Sequence, residues 1–316
     1  MNILANDGIS QSGIQALESN GFNVITTNVA QEQLVNYINE NDIVVLLVRS
    51  ATTARKELID ACPELKIIGR GGVGMDNIDV DYAREKGLHV INTPAASSAS
   101  VAELVFAHLY SGVRFLHDSN RNMPLEGELN FKGLKKAYAK GIELRGKTLG
   151  IIGFGRIGQE AAKIGLGIGM NVIATDNYME KATVNVALFN GQSIDVEIKT
   201  QSMDSLLAEA DFISLHVPAQ KAYVLGENEF NKMKKGAAVV NAARGGVIDE
   251  VALLKALDSG QLSFAGLDTF EDEPKPAIQV LMHPKVSLTP HIGAATGEAQ
   301  DRIGVELADQ ISTILG

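Results

Sequence analysis

Three short segments of the sequence carry side chains that can transfer a proton, stabilise a charge and bind an anion. Arg244 lies in the stretch NAARGG, Glu273 in LDTFEDEP and His291 in TPHIGAAT. An imidazole titrates near neutral pH, so His291 suits a general acid or base. A carboxylate such as that of Glu273 can hold the tautomer of the imidazole and stabilise the imidazolium, and an arginine fork can bind a carboxylate beside a carbonyl oxygen.

The stretch from Thr148 to Asp176 has the pattern of a dinucleotide-binding unit, which would hold the cofactor that these side chains act beside. An apolar run at 148–152 leads into the glycine turn GFGRIG, and a helical pattern then leads to a second apolar run that ends at Asp176. In such a turn the first glycine permits the bend, the second lets a pyrophosphate approach the backbone, and the third lets the helix pack closely. The helix N-terminus then offers free N–H groups to the phosphates. We predict cofactor contacts from Gly153, Gly155, Arg156, Ile157, Gly158 and Asp176.

The acid after the second strand favours NAD over NADP. A carboxylate at this place can accept hydrogen bonds from both ribose hydroxyls of an adenosine. A 2′-phosphate would meet like charge there, and the residues after Asp176 are Asn-Tyr-Met-Glu, without Arg or Lys. The alternative is a glycine turn that serves chain packing alone, but the flanking strands and the acid supply the context that dinucleotide binding requires.

Hydride transfer between a nicotinamide ring and an alcohol needs a base, a cation and a substrate anchor. His291 is the predicted base, Glu273 its partner, and Arg244 the cation and anchor. Asp268 is a candidate for a hydrogen bond to the nicotinamide end of the cofactor. Taken singly, three of these residues also have a purely structural interpretation: a capping His291, a solvated Glu273 in an acidic turn and a structural Arg244.

Residues 1–91 alternate short strand-like runs with helical patterns, which predicts a parallel, doubly wound sheet. Arg49 and Arg70 follow or end two of these runs, where each could grip an anion, and the glycines after Arg70 could form an anion-binding nest of N–H groups. A surface or interdomain ion pair is the alternative role for either arginine. The predicted substrate-binding residues are Arg49, Ser50, Arg70, Gly71, Gly72, Val73, Gly74 and Asn92.

The remaining segments are predicted by pattern. A helix is expected from Ala95 to about Arg121, with His108 and His117 as structural residues, followed by an irregular segment at 122–147. A second doubly wound sheet should follow Asp176, and a final helix at 297–314 should pack on the first domain. The stretch 177–200 contains two strand-like runs around an Asn-Gly pair, which indicates either a surface hairpin or a cover for the adenosine.

Composition excludes several classes of protein. The chain of 316 residues has 45% hydrophobic and 21% charged residues, as expected for about two globular domains. A formal net charge of −10 without a basic run argues against a nucleic-acid partner, and no apolar stretch suggests a membrane partner or a signal peptide. We therefore expect a cytoplasmic protein. Cys62 is the only cysteine and no His cluster is present, so neither an intramolecular disulfide nor a metal site is predicted.

Over essentially its whole length the chain resembles the D-isomer-specific 2-hydroxyacid dehydrogenase family. The resemblance rests on motifs that occur in order: VRSATT, GRGGVGMDNID, NTP, LGIIGFGRIG, LHVP, NAARGGVIDE, LDTFEDEP and TPHIGAAT. It implies an α/β fold of two similar Rossmann-like domains with a cleft between them, NAD as cofactor, and a homodimer formed through the NAD-binding domain. The expected substrate-binding (catalytic) domain comprises residues 1–93 and 292–316, and the expected NAD-binding domain comprises residues 94–291. Further predicted cofactor contacts are His216, Pro218 and Ala242.

The resemblance implies an enzyme that acts on a small 2-hydroxy acid, with Arg244, Glu273 and His291 as catalytic residues. Arg49 and Arg70, with help from Lys135 or Lys136, would suit the extra phosphate of D-3-phosphoglycerate. Reduction of glyoxylate or hydroxypyruvate, or of another D-2-hydroxyacid's oxo form, is the alternative. A nucleotide-sensing, corepressor-like binding protein is a third interpretation. Because the chain ends at Gly316, no C-terminal regulatory domain or feedback by serine is expected.

Overall fold

The computed structural model describes all residues from Met1 to Gly316 and divides them into two compact units. The first comprises Met1–Ser100 with Ala294–Gly316, and the second comprises Val101–Gly293. The boundaries therefore fall seven and two residues later than the domain limits expected from the sequence. The first shift arises at a helix that spans the boundary, Ser98–Val113.

The first unit is a parallel sheet with helices. Its strands are β1 (Asn2–Ala5), β2 (Asn23–Ile25), β3 (Ile43–Val48), β4 (Ile67–Arg70) and β5 (His89–Asn92). Its helices are α1 (Gln11–Ser19), α2 (Leu34–Glu40), α3 (Lys56–Ala61), α4 (Val80–Glu85) and α12 (Gly297–Leu315). The spatial order β2-β1-β3-β4-β5 reverses direction at β1 and β3, which is the doubly wound arrangement predicted from the alternating pattern.

Helix α12 belongs to the first unit, as predicted. Its apolar face, with Ile303 and Leu307, is buried with Ile3 and Leu17 of that unit. Burial of such side chains stabilises the fold by about 1.5 to 3 kcal/mol each. On the other side of the sheet, Cys62 is buried in a second apolar cluster, and burial raises the pKa of its thiol to about 11. Such a thiol is unreactive at neutral pH.

The second unit contains a larger parallel sheet and a hairpin. Its strands are β6 (Thr148–Ile152), β7 (Asn171–Thr175), β8 (Lys181–Ala187), β9 (Ser193–Lys199), β10 (Phe212–Leu215), β11 (Ala237–Asn241), β12 (Leu262–Leu267) and β13 (Val286–Leu288). Its helices are α5 (Ser98–Val113, from Val101 onward), α6 (Leu116–Ala137), α7 (Arg156–Gly167), α8 (Met203–Glu209), α9 (Glu227–Lys232), α10 (Glu250–Asp258) and α11 (Ile278–Met282). The sheet order β13-β12-β11-β10-β6-β7 confirms a second doubly wound sheet.

Two segments of the second unit correct or refine the sequence interpretation. The single helix predicted to Arg121 ends at Val113, because Phe115 has a left-handed backbone with a φ of 56°. The segment predicted to be irregular, 122–147, is mostly helix α6, which is broken locally at Asn130. The stretch after Asp176 forms the antiparallel hairpin β8–β9, with its base packed in the core and its tip exposed.

No helix in this structure combines the length and the apolar character that crossing a membrane would require. The structure also contains no cluster of three or more His, Cys, Asp or Glu side chains that could hold a metal ion.

Candidate active site

The glycine turn joins β6 to α7 in the geometry that a dinucleotide requires. Gly153 has a φ of 91°, and a side chain there would collide with the carbonyl oxygen of His216. A side chain at Gly158 would collide with the carbonyl oxygen of Gly153. Gly155 faces open space and, as the N-cap of α7, brings no side chain to the first-turn N–H groups of the helix. These amides are therefore available to an anion, and the residues present fit the pyrophosphate of NAD.

Asp176, which follows β7, fastens the turn to the next loop. Its Oδ2 accepts a hydrogen bond from the N–H of Phe154 (2.7 Å), and its Oδ1 accepts from the N–H groups of Tyr178 (2.8 Å) and Met179 (3.1 Å). The carboxylate is thus placed beside the glycine turn, as the sequence predicts. The hydrogen bonds from the N–H groups of Tyr178 and Met179 were not predicted, and together with the bond from Phe154 they fix the orientation of the carboxylate.

We expect Asp176→Asn to weaken discrimination against NADP, because the substitution removes the charge that repels a 2′-phosphate while keeping an acceptor oxygen. The ratio of kcat/KM for NADPH to that for NADH should rise roughly tenfold or more. Steady-state kinetics with both cofactors measure this ratio. Asp176→Glu keeps the charge and serves as the control. An unchanged ratio in the Asn variant would show that the carboxylate does not select the cofactor.

The segments with Arg244, Glu273 and His291 leave three neighbouring strands at the same edge of the sheet. Asn241 at the end of β11 is in register with Leu267 at the end of β12, which is in register with Leu288 at the end of β13. The three segments that follow these strands are the ones predicted to carry the chemistry. Their placement at a carboxyl edge agrees with the prediction from strand order.

Glu273 and His291 form a direct pair. His291 Nδ1 lies 2.8 Å from Glu273 Oε2, while Glu273 Oε1 accepts a hydrogen bond from the N–H of Phe270 at 3.0 Å. The carboxylate only accepts, so it holds the imidazole with its proton on Nδ1 and leaves Nε2 able to exchange a proton. The His291 side chain is 43% exposed, so it is accessible to a small molecule.

Hydrogen bonds between side chains and its backbone hold the Arg244 segment in place. Asn241 Nδ2 donates to the carbonyl of Arg244 (2.9 Å), and Asn241 Oδ1 accepts from the N–H of Ala243 (3.1 Å). The guanidinium Nη1 donates to the carbonyl of Ala243 at 2.6 Å, which fixes one side of the fork. Asn241 was not singled out in the sequence, although an Asn at a strand end that bonds its own turn is a common device.

Asp268 has a role that the sequence did not reveal. It is 1% exposed, and its carboxylate accepts from the hydroxyl of Thr289 (2.6 Å) and from the N–H groups of Ile292 (2.8 Å) and Gly293 (2.9 Å). These donors flank His291, so Asp268 anchors the loop on which the histidine sits. The predicted contact of Asp268 with the nicotinamide end stays a prediction.

A reciprocal pair of acids, Glu250 and Glu271, fixes the loop that carries Glu273. Glu250 and Glu271 bind each other's backbone, because the N–H of each donates to the carboxylate of the other at 2.9 Å. Burial raises the pKa of Glu250. This reciprocal arrangement joins the loop after β12 to the start of α10, and no sequence signal distinguishes it from other acidic turns.

His216 of the LHVP segment lies beside the glycine turn. Its Nε2 is 2.9 Å from Ser214 Oγ, while its Nδ1 is buried without a hydrogen-bond partner, although part of the residue remains accessible. Burial lowers its pKa to about 4. Pro218 is exposed and Ala242 is buried. Cofactor contacts for these three residues stay predictions.

Burial lowers the pKa of both His216 and His108 to about 4. The free energy of unfolding should therefore decrease in acid. Between about pH 6.5 and pH 4 the unfolded chain binds protons that the folded chain does not, so stability falls as pH falls. Each histidine should lower the free energy of unfolding by roughly 2 kcal/mol at pH 5 relative to pH 7. Urea unfolding at both values measures the loss, and His216→Gln should remove about half of it. An equal loss in the variant would contradict the assignment.

The predicted substrate residues of the first unit share one sheet edge. Val48, Arg70 and Asn92 are in register across β3, β4 and β5, and Arg49 and Ser50 follow directly. Asn92 Nδ2 donates to the carbonyl of Val73 (2.6 Å), which ties the glycine-rich loop to the strand end.

The anion nest predicted for the loop after Arg70 is wrong for its first two amides. The N–H of Gly71 donates to the carbonyl of Val48 and so continues the bonding between β3 and β4, whereas the N–H of Gly72 closes a tight turn on the carbonyl of Arg70. The guanidinium of Arg70 lies over Gly72, where a side chain would collide with it. Substrate contacts for Ser50, Val73 and Gly74 stay predictions.

Comparison with known proteins decides the family. Residues 106–293 match the model of the D-isomer specific 2-hydroxyacid dehydrogenase, NAD binding domain, which covers more than half of the chain. The chain belongs to this family. The match includes the glycine turn and all three segments with the predicted catalytic side chains, so the second unit is the NAD-binding domain of a D-2-hydroxyacid dehydrogenase and NAD is its cofactor.

Relatives within the D-2-hydroxyacid dehydrogenases differ in substrate. The chain is 41% identical over 99% of its length to a D-3-phosphoglycerate dehydrogenase of Methanocaldococcus jannaschii, of which it covers 57%. It is 42% identical over 98% of its length to a hydroxypyruvate reductase of Thermotoga maritima, of which it covers 97%. A D-lactate dehydrogenase of Aquifex aeolicus, solved with NAD and lactic acid, is 29% identical with a TM-score of 0.75, and the match covers all of this chain and 95% of that one. The chain thus spans just over half of the phosphoglycerate dehydrogenase.

Proposed function

We propose that the protein oxidises D-3-phosphoglycerate to 3-phosphohydroxypyruvate with NAD, the entry reaction of serine synthesis. The observation that carries the catalytic part is the pair of His291 and Glu273, 2.8 Å apart, in the same unit as the dinucleotide turn. The similarity to phosphoglycerate dehydrogenases supports the choice of substrate.

In this proposal the amides at the start of α7 bind the pyrophosphate and Asp176 binds the adenosine ribose. NAD, when bound, accepts the hydride from the substrate's carbinol carbon. His291 Nε2 takes the hydroxyl proton, and Glu273, which holds Nδ1–H, stabilises the imidazolium that results. Arg244 binds the substrate carboxylate and the oxygen that becomes the carbonyl, which orients the substrate and polarises it.

Arg49 and Arg70 are proposed to bind the anionic groups of the substrate, with the phosphate as the group that distinguishes it from simple hydroxy acids. Both arginines belong to the same sheet edge of the first unit. A bidentate guanidinium suits a phosphate as well as a carboxylate.

Reduction of hydroxypyruvate or glyoxylate is the second candidate. It is favoured by the 42% identity to a hydroxypyruvate reductase that this chain covers almost completely. The catalytic side chains serve both reactions, because the chemistry at the carbinol carbon is the same and only the phosphate differs.

The experiment follows absorbance of NADH with purified protein, first with NAD and D-3-phosphoglycerate, then in reverse with phosphohydroxypyruvate, hydroxypyruvate and glyoxylate. If Arg49 and Arg70 bind the phosphate, Arg49→Gln and Arg70→Gln should each lower kcat/KM more for phosphohydroxypyruvate than for hydroxypyruvate. Turnover of unphosphorylated acids alone would reject phosphoglycerate and keep the dehydrogenase. No turnover of any acid, with NADH binding intact, would favour a nucleotide-sensing protein.

A homodimer is also proposed. Helix α6 exposes large apolar side chains to an unusual extent for a folded protein surface: Leu116, Met123, Leu125, Leu129 and Phe131. This concentration of exposed large apolar side chains on one helix supports a surface that another chain covers. A second copy of the NAD-binding unit is the partner that the family resemblance implies.

A further inference from the structure

His108, on the buried face of α5, makes hydrogen bonds to two residues near the catalytic loop. It is 2% exposed, with Nδ1 at 2.9 Å from Ser287 Oγ and Nε2 at 3.0 Å from Thr289 Oγ1. Its side chain packs on Gly266 of β12, where an added Cβ would lie 2.6 Å from the Cβ of His108. The imidazole is thus held on one face by the sheet and at both nitrogens by hydroxyls.

The partners of these hydroxyls fix the tautomer. Thr289 lies 2.6 Å from Asp268 Oδ1, and a carboxylate that already accepts two backbone N–H groups accepts here as well. Thr289 has one proton, which it donates to Asp268, so it accepts from His108 and Nε2 carries the proton.

The other ring nitrogen then acts as an acceptor. Burial lowers the pKa of His108 to about 4, so the ring is neutral at working pH and Nδ1 accepts from Ser287. Ser287 Oγ could instead donate its single proton to Ser111 Oγ at 3.3 Å. A neutral ring with its proton on Nε2 leaves Nδ1 as an acceptor at 2.9 Å, and this shorter contact forms only if Ser287 donates to it. The direction of donation is therefore from Ser287 through His108 and Thr289 to Asp268.

We propose that His108 is a positioning residue for His291. It holds the Thr289 hydroxyl on Asp268, and the Asp268 carboxylate in turn holds the two amides directly after His291, those of Ile292 and Gly293. The catalytic meaning of this proposal rests on the proposed function, whereas the structural part stands without it.

The backbone of His291 explains why such support is needed. Its φ of 55° is left-handed, which only a few per cent of residues other than glycine adopt, histidine among the more frequent of them. A strained conformation persists only when the surrounding structure holds it. Before the histidine, the N–H of Thr289 donates to the carbonyl of Leu267 at 3.0 Å and the N–H of His291 donates to the carbonyl of Thr289 at 3.1 Å. After it, the amides of Ile292 and Gly293 both donate to Asp268, so this side of the histidine is anchored by that carboxylate.

The first test needs no activity. Nitrogen NMR of the histidine side chains should show His108 as the Nε2–H tautomer, neutral at about pH 6. Hydrogen exchange in His108→Leu should be roughly tenfold faster at the amides of Ile292 and Gly293 than in the wild type, while amides of β6 stay unchanged. An Nδ1–H tautomer, or unchanged exchange at both amides, would overturn the proposal.

The second test is kinetic. His108→Leu should lower kcat roughly 10- to 100-fold with the Kd of NADH unchanged, because a displaced base slows proton transfer without disturbing the glycine turn. His108→Gln, which keeps a donor near the Nε2 position, should recover part of the loss, and Ser111→Ala should behave as the wild type. If His108→Leu does not fold, Thr289→Val replaces it as the test. This near-isosteric change removes the same link between His108 and Asp268, and we expect the same loss of kcat.

A kcat in folded His108→Leu or Thr289→Val within about twofold of the wild type would contradict the positioning role. A wild-type protein that turns over none of the tested acids would instead reject the proposed function, and the tautomer and amide exchange would still decide the role of His108.

Discussion

Replacement of His291 by asparagine should lower kcat roughly 1,000-fold with little effect on NADH binding. Positioned proton transfer contributes about 10²- to 10⁴-fold to a rate, and an amide cannot perform it. Asparagine is the informative substitution because it tolerates the left-handed backbone that His291 adopts, with a φ of 55°. Stopped assays of NADH formation give kcat, and quenching or enhancement of NADH fluorescence gives the Kd.

Glu273→Gln is the matched control for the same pair. The amide oxygen can still accept from His291 Nδ1, so the tautomer is kept, but the negative charge that stabilises the imidazolium is lost. The expected loss in kcat is therefore smaller than in the His291 variant. If His291→Asn retained near wild-type turnover, another group would have to be the base; if both variants lost NADH binding, the defect would lie in the fold and not in proton transfer.

Much of this site was predictable because strand ends and glycine turns have strong sequence signals. The apolar runs before Arg244 and His291 predicted neighbouring strand ends, and the structure places their strands in register through β12. Gly153 and Gly158 are required by contacts that any dinucleotide turn of this type makes. Such signals depend on the local backbone and can be read from one sequence.

The remaining features depend on contacts between distant residues. The residue type of Asp268 suits a contact with the cofactor and an anchor of the next loop alike, and only its contacts with the 289–293 segment reveal the anchoring role. His108 is separated from Ser287 by 179 positions. The helix α6 was missed because it contains Pro124 and several polar residues with weak helix preference.

Arg244→Gln should lower kcat/KM roughly 1,000-fold or more, the second large effect expected in this protein. The guanidinium is assigned two tasks, binding of the substrate carboxylate and stabilisation of charge on the reacting oxygen. Removal of one such donor costs about 10²- to 10³-fold in kcat alone, and the lost binding of the carboxylate adds to it. The variant should still fold, because the side-chain amide of Asn241 bonds the backbone of Ala243 and Arg244 and keeps the turn in place when the Arg244 guanidinium is removed.

Two further variants separate charge from geometry at this position. Arg244→Lys keeps the charge but cannot bind two oxygens side by side, so its kcat/KM should lie between those of the wild type and the Gln variant. Arg244→Ala leaves room for a small cation, and added guanidinium ion should restore part of the turnover while added ammonium should not. Equal activity of the Lys variant and the wild type would mean that charge alone suffices, and the two-point contact with carboxylate and carbonyl would then have to be abandoned.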